Sequence, residues 1–440
     1  MTADRNKILT IIQEHKSGLP VGITSICSAN ENVIKASMEN AKKLNKILLI
    51  ESTSNQVDQF GGYTGMTPSN FRGFVLQIAE KVGFPLDSLY LGGDHLGPNV
   101  WRNESAKSAM EKAKEQIKAY VNAGYTKIHL DATMKCADDG DENLPLDPHI
   151  IAERAAVLCK AAEEELAVRK EKLELPVYVI GSDVPPPGGA KEESNNIRIT
   201  KAEAVEETIF YTQKAFYGFG LEDAWSRVIA IVVQPGVEFG DKEIFDYQRE
   251  KAIELKKKIE TKNNLVYEAH STDFQLKSSL RQMVEDHFAI LKVGPWMTFA
   301  FREAVLALEL IEKELLGLKK TTNLSDISNV IEYNMNKNPK YWYKYYQGKE
   351  PEEKRFQRKY SFSDRIRYYW SESEVKNSLS KLLQNLSEEE IPLTLISQFL
   401  PESFELIRSD KVKNTPDNLI TNRIMTVLEK YNYATMGENL

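Results

Sequence analysis

The sequence predicts an α/β fold, a (β/α)₈ TIM barrel followed by a C-terminal helical extension. Three observations lead there. Short β-rich runs alternate with helical patterns between residues 20 and 295, the runs number eight, and after residue 320 strands give way to helices. The runs are 21–27, 46–51, 88–94, 126–131, 177–183, 228–233, 265–270 and 288–293. Helical stretches such as 105–123, 147–165 and 201–217 lie between them, the last with a charged first turn ahead of its apolar stripe. Eight βα units imply closure of the sheet, although a doubly wound sheet holds as many strands. The barrel is expected to span 1–320 and to carry the active site. The extension, 321–440, includes the aromatic and basic run YWYKYYQGKEPEEKRFQRKYSFSDRIRYYW and is expected to pack on the barrel.

Composition narrows the function classes. Lys and Arg number 57 against 64 Asp and Glu, a net charge of −7, so no basic footprint for nucleic acid is present. An anionic ligand would need a local basic pocket inside this acidic envelope. The first residues, MTADRNKILTIIQEHKSG, form an amphipathic helix without the apolar core of a signal peptide. No run approaches the roughly 20 apolar residues of a membrane span. Cys27, Cys136 and Cys159 are widely spaced and form no CxxC motif, which points to free thiols in a reducing cytoplasm.

Two loops that follow strands are unusually long, 53–71 and 183–200. Both would lie on the face where barrels hold their sites, and both suit a lid. Side chains at the strand ends of that face converge. In chain order they are Ser25 and Cys27, Glu51, Asp94 and His95, Asp131, Asp183, Gln234, His270 and Lys292. Turn formers would be commoner there in a purely structural barrel.

The first chemical consequence is a divalent metal. His95, Asp183 and His270 offer two imidazoles and a carboxylate from three strands, a set suited to zinc, manganese, cobalt, nickel or iron, with positions left for substrate oxygens. The competing reading makes both histidines satisfied core residues. Asp94, beside His95, would move a hydroxyl proton next to a cation that stabilises enolate charge; otherwise it only orients His95. His129 is read as a buried hydrogen-bonding residue one layer below Asp131, with a supporting role at the metal open. His15 is read as exposed on the first helix, His149 as following the Asp147–Pro148 helix start, and His287 as lying at the opposite, stability face. Lys292 should point inward, as a Schiff-base nucleophile, an ion-pair partner of Glu51 or Glu268, or a substrate-binding group. No Walker A or GxGxxG motif occurs. A phosphate would rest on Ser271, Thr272 and the amides around Gly294, helped by Arg365 and Arg367 reaching over from the extension; those arginines read equally well as surface ion pairs.

At these residues a resemblance appears. GGDHLGPN (92–99), IESTSNQVDQFGGYTGMTP (50–68), KIHLDATMKCADD (127–139), VVQPGVEF (232–239), VYEAHSTD (266–273), FAILKVGP (288–295) and YSFSDRIRYYW (360–370) closely resemble the accessory (Z) subunit family of tagatose-1,6-bisphosphate aldolase. That family is similar to the catalytic class II aldolases, which are zinc barrels. The resemblance implies that Asp94 is the proton-transfer aspartate, that His95 and His270 are zinc histidines, and that Asp183 stands where those enzymes have a histidine. It also implies one of two activities. The first is a divalent-metal ketohexose-6-phosphate 4-epimerase, which opens C3–C4 of tagatose 6-phosphate or fructose 6-phosphate by retro-aldol cleavage and closes it with C4 inverted. Here Glu51 and Asp131 would be further acid/base or hydroxyl-binding groups, and Asn55, Gln56 and Gln234 would contact substrate. The alternative is a non-catalytic subunit that stabilises a catalytic aldolase. Partners expected are a phosphorylated ketose, such an aldolase subunit and further copies of this chain, with no nucleic acid and no membrane.

Overall fold

Runs of Val, Ile and Leu bounded by Gly and polar turns become eight parallel strands in the computed structural model, which describes residues 6–141, 144–169, 174–181, 197–319, 323–388 and 390–436. The strands are β1 (Ile23–Cys27), β2 (Leu48–Thr53), β3 (Leu89–Leu96), β4 (Lys127–Leu130), β5 (Val177–Ile180), β6 (Val228–Val232), β7 (Val266–Ala269) and β8 (Ile290–Val293). Each predicted run carries one of them. They pair in chain order and β8 returns to β1, with Ile23 opposite Ile290 and Ser25 opposite Lys292, so the sheet closes as a barrel. A two-residue antiparallel pair, Glu238–Phe239 with Ile244–Phe245, decorates the loop after β6. The three named helical stretches appear as Ala106–Asn122, Pro148–Val168 and Ala202–Gly218. Ser105 and Asp147 cap the first two with side-chain oxygens, meeting backbone N–H groups that have no partner inside the helix. Among the described residues no helix is long and apolar enough to cross a membrane.

Alternation along the strands sorts the interior into layers. Ile23, Leu49, Tyr90, Val177, Val266 and Ile290 fill the lower barrel, and Ile8 and Ile12 of helix Lys7–Lys16 close it from below. That plug overturns the exposed reading of His15. The helix lies with that side against the barrel base, so His15 is buried; its Nδ1 is 2.7 Å from the Val21 carbonyl and its Nε2 is 2.8 Å from His287 Nδ1. Burial pushes its pKa down to about 4. His287 does sit at this lower end, and the His149 amide is capped by Asp147.

The extension packs on the barrel at two places. Helix Pro416–Thr435 lies against helices Glu31–Lys43, Lys277–Glu285 and Pro295–Leu316, over the seam where β1 meets β8. Gly22 donates its backbone N–H to the Thr435 carbonyl at 2.8 Å, and the Tyr431 hydroxyl donates to the Thr272 carbonyl at 2.9 Å. The second place is the turn Arg365–Tyr368 and its flanks, which cover the upper mouth: the Tyr368 ring lies 4.8 Å from Tyr63 and the Phe362 ring 4.7 Å from Phe274.

Candidate active site

Asp94 and His95 are neighbours on β3, and neighbours in a regular strand face opposite sides. Here the register against β4 slips: Gly93 lies opposite Ile128, but Leu96 lies opposite Leu130. The extra residue is a β-bulge, and with His95 at φ 49° it turns both side chains into the barrel. A non-glycine residue in that region costs on the order of 1–3 kcal/mol, which surrounding contacts must offset. His95 Nδ1 lies 2.7 Å from Asp131 Oδ2, and its backbone N–H donates to His129 Nδ1 at 3.2 Å. Glycines of the same motif leave room. A Cβ on Gly92 would stand 2.7 Å from Glu51 Cγ, and one on Gly97 would stand 1.7 Å from the Asp131 carbonyl oxygen.

The His95 and His270 rings stand edge to face with centroids 4.8 Å apart. Each is oriented by a carboxylate. His270 Nε2 donates to Glu268 Oε1 at 2.9 Å, which leaves Nδ1 buried with no hydrogen-bond partner among the described residues. The Asp131 contact likewise ties down His95 Nδ1, while Nε2 stands 3.8 Å from Asp94 Oδ2. Imidazoles held by carboxylates with one bare nitrogen each are the donor chemistry of a divalent-cation site. Asp183, the expected third ligand, lies outside the described residues, as does most of the second long loop.

Electrostatics separates the two imidazoles. Burial, and then the Lys292 ammonium, pushes His270 down to about 3, so it is neutral at working pH. Burial also opposes the His95 cation, but the Asp94 and Asp131 carboxylates outweigh it and hold His95 above its ordinary value. With His95 as a metal ligand, divalent-ion affinity would climb as pH rises through the His95 titration and then level off. At about pH 6 a proton should leave for each ion bound, because the coordinating imidazole must be neutral. Titration calorimetry in buffers of different ionisation heat measures this; affinity flat across that range would remove His95 from the ligand set.

One layer down, two lysines meet three carboxylates. Lys127 Nζ is 2.6 Å from Glu51 Oε1 and 2.7 Å from Glu268 Oε2, and all three side chains are fully buried. Lys292 Nζ is 2.8 Å from Glu51 Oε2 and 3.5 Å from Glu268 Oε1, and it also contacts Asp94 Oδ1. Asp94, His129, Glu268 and His270 bring ligand atoms close enough for a metal. In this arrangement those atoms are engaged with one another, through His129 to Asp94 at 2.9 Å and His270 to Glu268, around the Lys292 ammonium. The nitrogens outside hydrogen bonds are His270 Nδ1 and His95 Nε2, the latter facing Asp94 Oδ2 at 3.8 Å. His129 Nε2 donates to the Gly181 carbonyl at 2.8 Å, and its Nδ1, which accepts the His95 backbone N–H, stands 2.9 Å from Asp94 Oδ1. Burial works against ionised Asp94, yet His95 and Lys292 hold its carboxyl well below the usual range. Lys292 is kept protonated, burial notwithstanding, by Asp94, Glu51 and Glu268. A Schiff-base nucleophile needs a neutral amine, so this geometry is that of an ion pair.

The remaining expected residues divide. Glu51 is engaged by both lysines, and Asp131 by His95 and Thr133. Asn55 is exposed; Gln56 Oε1 accepts from the Thr53 amide at 2.9 Å, and Gln234 Oε1 from the Gly236 amide at 2.8 Å. The Ser271 hydroxyl is buried with no partner among the described residues, at φ 53°. Thr272 instead donates its hydroxyl to the Lys292 carbonyl at 2.6 Å. The Gly294 and Trp296 amides, at the start of helix Pro295–Leu316, donate to Asp273 Oδ1 at 3.0 and 2.8 Å. An internal carboxylate thus sits where a phosphate was expected, with its pKa raised by burial to about 6. Arg365 and Arg367 are not surface ion pairs. Arg365 is buried, 3.6 Å from the Tyr345 ring centroid, and Arg367 donates to the Ser363 and Asp364 carbonyls and to the Tyr368 hydroxyl. They are covered because the turn folds down over the mouth, where the charge of Arg367 reaches Tyr63 and Asp273.

Sequence reasoning missed Lys127 and Asp273. For Lys127 a signal existed: Lys127, His129 and Asp131 share one face of the KIHLD alternation. Asp273 sits past the strand end, where no periodicity reports direction.

This site sits in a chain with close relatives. The family described as D-tagatose-1,6-bisphosphate aldolase subunit GatZ/KbaZ-like matches residues 8–436. The chain is 50% identical over 426 residues, 97% of its length and 99% of theirs, to the D-tagatose-1,6-bisphosphate aldolase subunit GatZ of Escherichia coli O6:K15:H31 (strain 536 / UPEC) and to that of Escherichia coli O1:K1 / APEC. It also resembles the crystal structure of a probable tagatose 6 phosphate kinase from Sinorhizobium meliloti 1021, with 42% identity and a TM-score of 0.85 over 94% of this chain and 100% of that one. Matched along nearly its whole length, the chain belongs to the GatZ/KbaZ-like family of D-tagatose-1,6-bisphosphate aldolase subunits.

Proposed function

We propose that the chain works as a subunit of a tagatose-1,6-bisphosphate aldolase, beside a separate catalytic chain. Its support is the end-to-end similarity, at half identity, to chains that carry that name. Co-expression with a class II aldolase chain should yield a co-eluting complex, and the catalytic chain alone should lose activity several-fold faster on heating. Equal lifetimes with and without this chain would sink the reading.

The buried site favours a second reading, a ketohexose-6-phosphate 4-epimerase. Behind it stands His270 Nδ1, a buried nitrogen without a partner among the described residues, beside the His95 ring. Such an atom costs on the order of 1–3 kcal/mol, a burden a mere scaffold has no reason to keep. A divalent cation held by His95 and His270 (zinc first; manganese, cobalt, nickel or iron otherwise) would supply Lewis acidity toward a ketose carbonyl and hydroxyl. Asp94 is the base for the C4 hydroxyl, β to the carbonyl. Removing that proton breaks C3–C4, and rotation of the aldehyde before the bond re-forms inverts C4. His129 and Lys292 hold Asp94 in place, and Glu51 and Asp131 hold Lys292 and His95. Incubation with fructose 6-phosphate should yield tagatose 6-phosphate and stop on chelation. No product with any of these metals would refute it.

On this reading Asp273 denies a phosphate the Gly294 and Trp296 amides, and the substrate's phosphate meets Arg367. Arg367→Met should weaken tagatose 6-phosphate binding by roughly 10- to 100-fold, the value of a charged hydrogen bond, and leave binding of unphosphorylated tagatose unchanged. Calorimetry with both sugars checks this; equal losses for the two would place the phosphate elsewhere.

A further inference from the structure

At the base of the barrel, away from the candidate site, lies a pocket of about 230 Å³. β1, β2, the first helix, helix Glu31–Lys43 and helix Pro416–Thr435 all contribute to its wall. Ile11, Ile26, Leu48 and Leu428 make most of that wall apolar. Lys46 enters it. The Lys46 ammonium donates to Asn432 Oδ1, whose amide is already paired with Asn40, and among the described residues no carboxylate forms an ion pair with it. Thr24 lines the same pocket, and its hydroxyl is buried without a hydrogen-bond partner among the described residues.

A buried charge is normally matched by an opposite charge, since transfer out of water is otherwise too costly. Lys46, partly buried, has no such match among the described residues, and space for one adjoins it. We propose that this pocket binds a small organic monocarboxylate, its head on Lys46 and Thr24 and its hydrocarbon body against the isoleucine and leucine walls. One cation, with the Glu14 carboxylate also at the wall, argues against a dianion such as phosphate. The apolar lining argues against a bare inorganic ion. A ligand here would bridge the strands of the barrel to the last helix of the extension, so binding at this base would tighten the seam.

The site can be read without any activity. Burial alone pushes Lys46 down to about 8, so at pH 8 an arriving carboxylate should draw up to about half a proton onto it. Calorimetry of the full chain with isovalerate, in two buffers of different ionisation heat, should give saturable one-to-one binding with that uptake. Lys46→Met should lower affinity about tenfold or more, and Thr24→Val by several-fold. Sugar-phosphate binding at the other end of the barrel should stay unchanged in both variants. Absence of saturable binding to the wild-type chain overturns the proposal, as does binding without proton uptake. Both are read on the wild-type chain, whatever the stability of the variants. Undiminished binding in a folded Lys46→Met chain also overturns it, and inorganic phosphate binding as tightly as isovalerate overturns the carboxylate assignment.

Discussion

Lys127→Met is expected to lower the unfolding free energy by about 3–5 kcal/mol, the cost of leaving buried charges without their partner. Lys127 and its two glutamates are fully inaccessible to water, and it bridges Glu51 and Glu268 at 2.6 and 2.7 Å. Methionine fits the stem but leaves two carboxylates facing each other with Lys292 as their remaining cation. Chemical denaturation measures the loss. Adding Glu51→Gln to the variant should recover part of it, since one uncompensated charge is then gone; a double variant no more stable than the single would mean that packing and not charge dominates. Removing Lys114, in a partly exposed pair with Glu111, should change stability by no more than about 1 kcal/mol.

Asp94→Asn should cut ketohexose-phosphate interconversion by roughly 10²- to 10⁴-fold, the range for loss of a positioned proton-transfer group. The amide keeps the shape and gives up the negative charge that pairs with Lys292. Any support the chain lends to a catalytic aldolase depends on its outer surface and should survive. Measuring both properties on one preparation separates the two proposed functions. A variant that loses both has lost its fold, which circular dichroism would reveal. One that converts sugar phosphates as fast as the wild-type chain would remove Asp94 from the chemistry.

The barrel was legible because its signal is repeated. Eight apolar runs separated by helical stretches mark parallel strands joined by crossovers, and polar groups at the strand ends mark the upper face. Local departures from period were not legible. Strict alternation would have sent Asp94 and His95 to opposite faces, and only the bulge reconciles them. His15 was misjudged because the first helix was read as a free amphipathic helix, although its partner, the barrel base, is assembled from residues up to 272 positions away. Asp273 could not be foreseen as the occupant of the Gly294 and Trp296 amides, because that contact depends on how two loops meet.

The helix Pro416–Thr435 has a consequence for synthesis. Its contact with Gly22 joins residues more than 400 positions apart, and it covers the line along which the first and last strands meet. As the chain leaves the ribosome, all eight strands are available well before this cover is. A nascent barrel would therefore wait with an apolar groove open along one side, a state prone to capture by neighbours or chaperones. The final helical turns act as a latch, and maturation should be governed by their arrival more than by pairing of the strands.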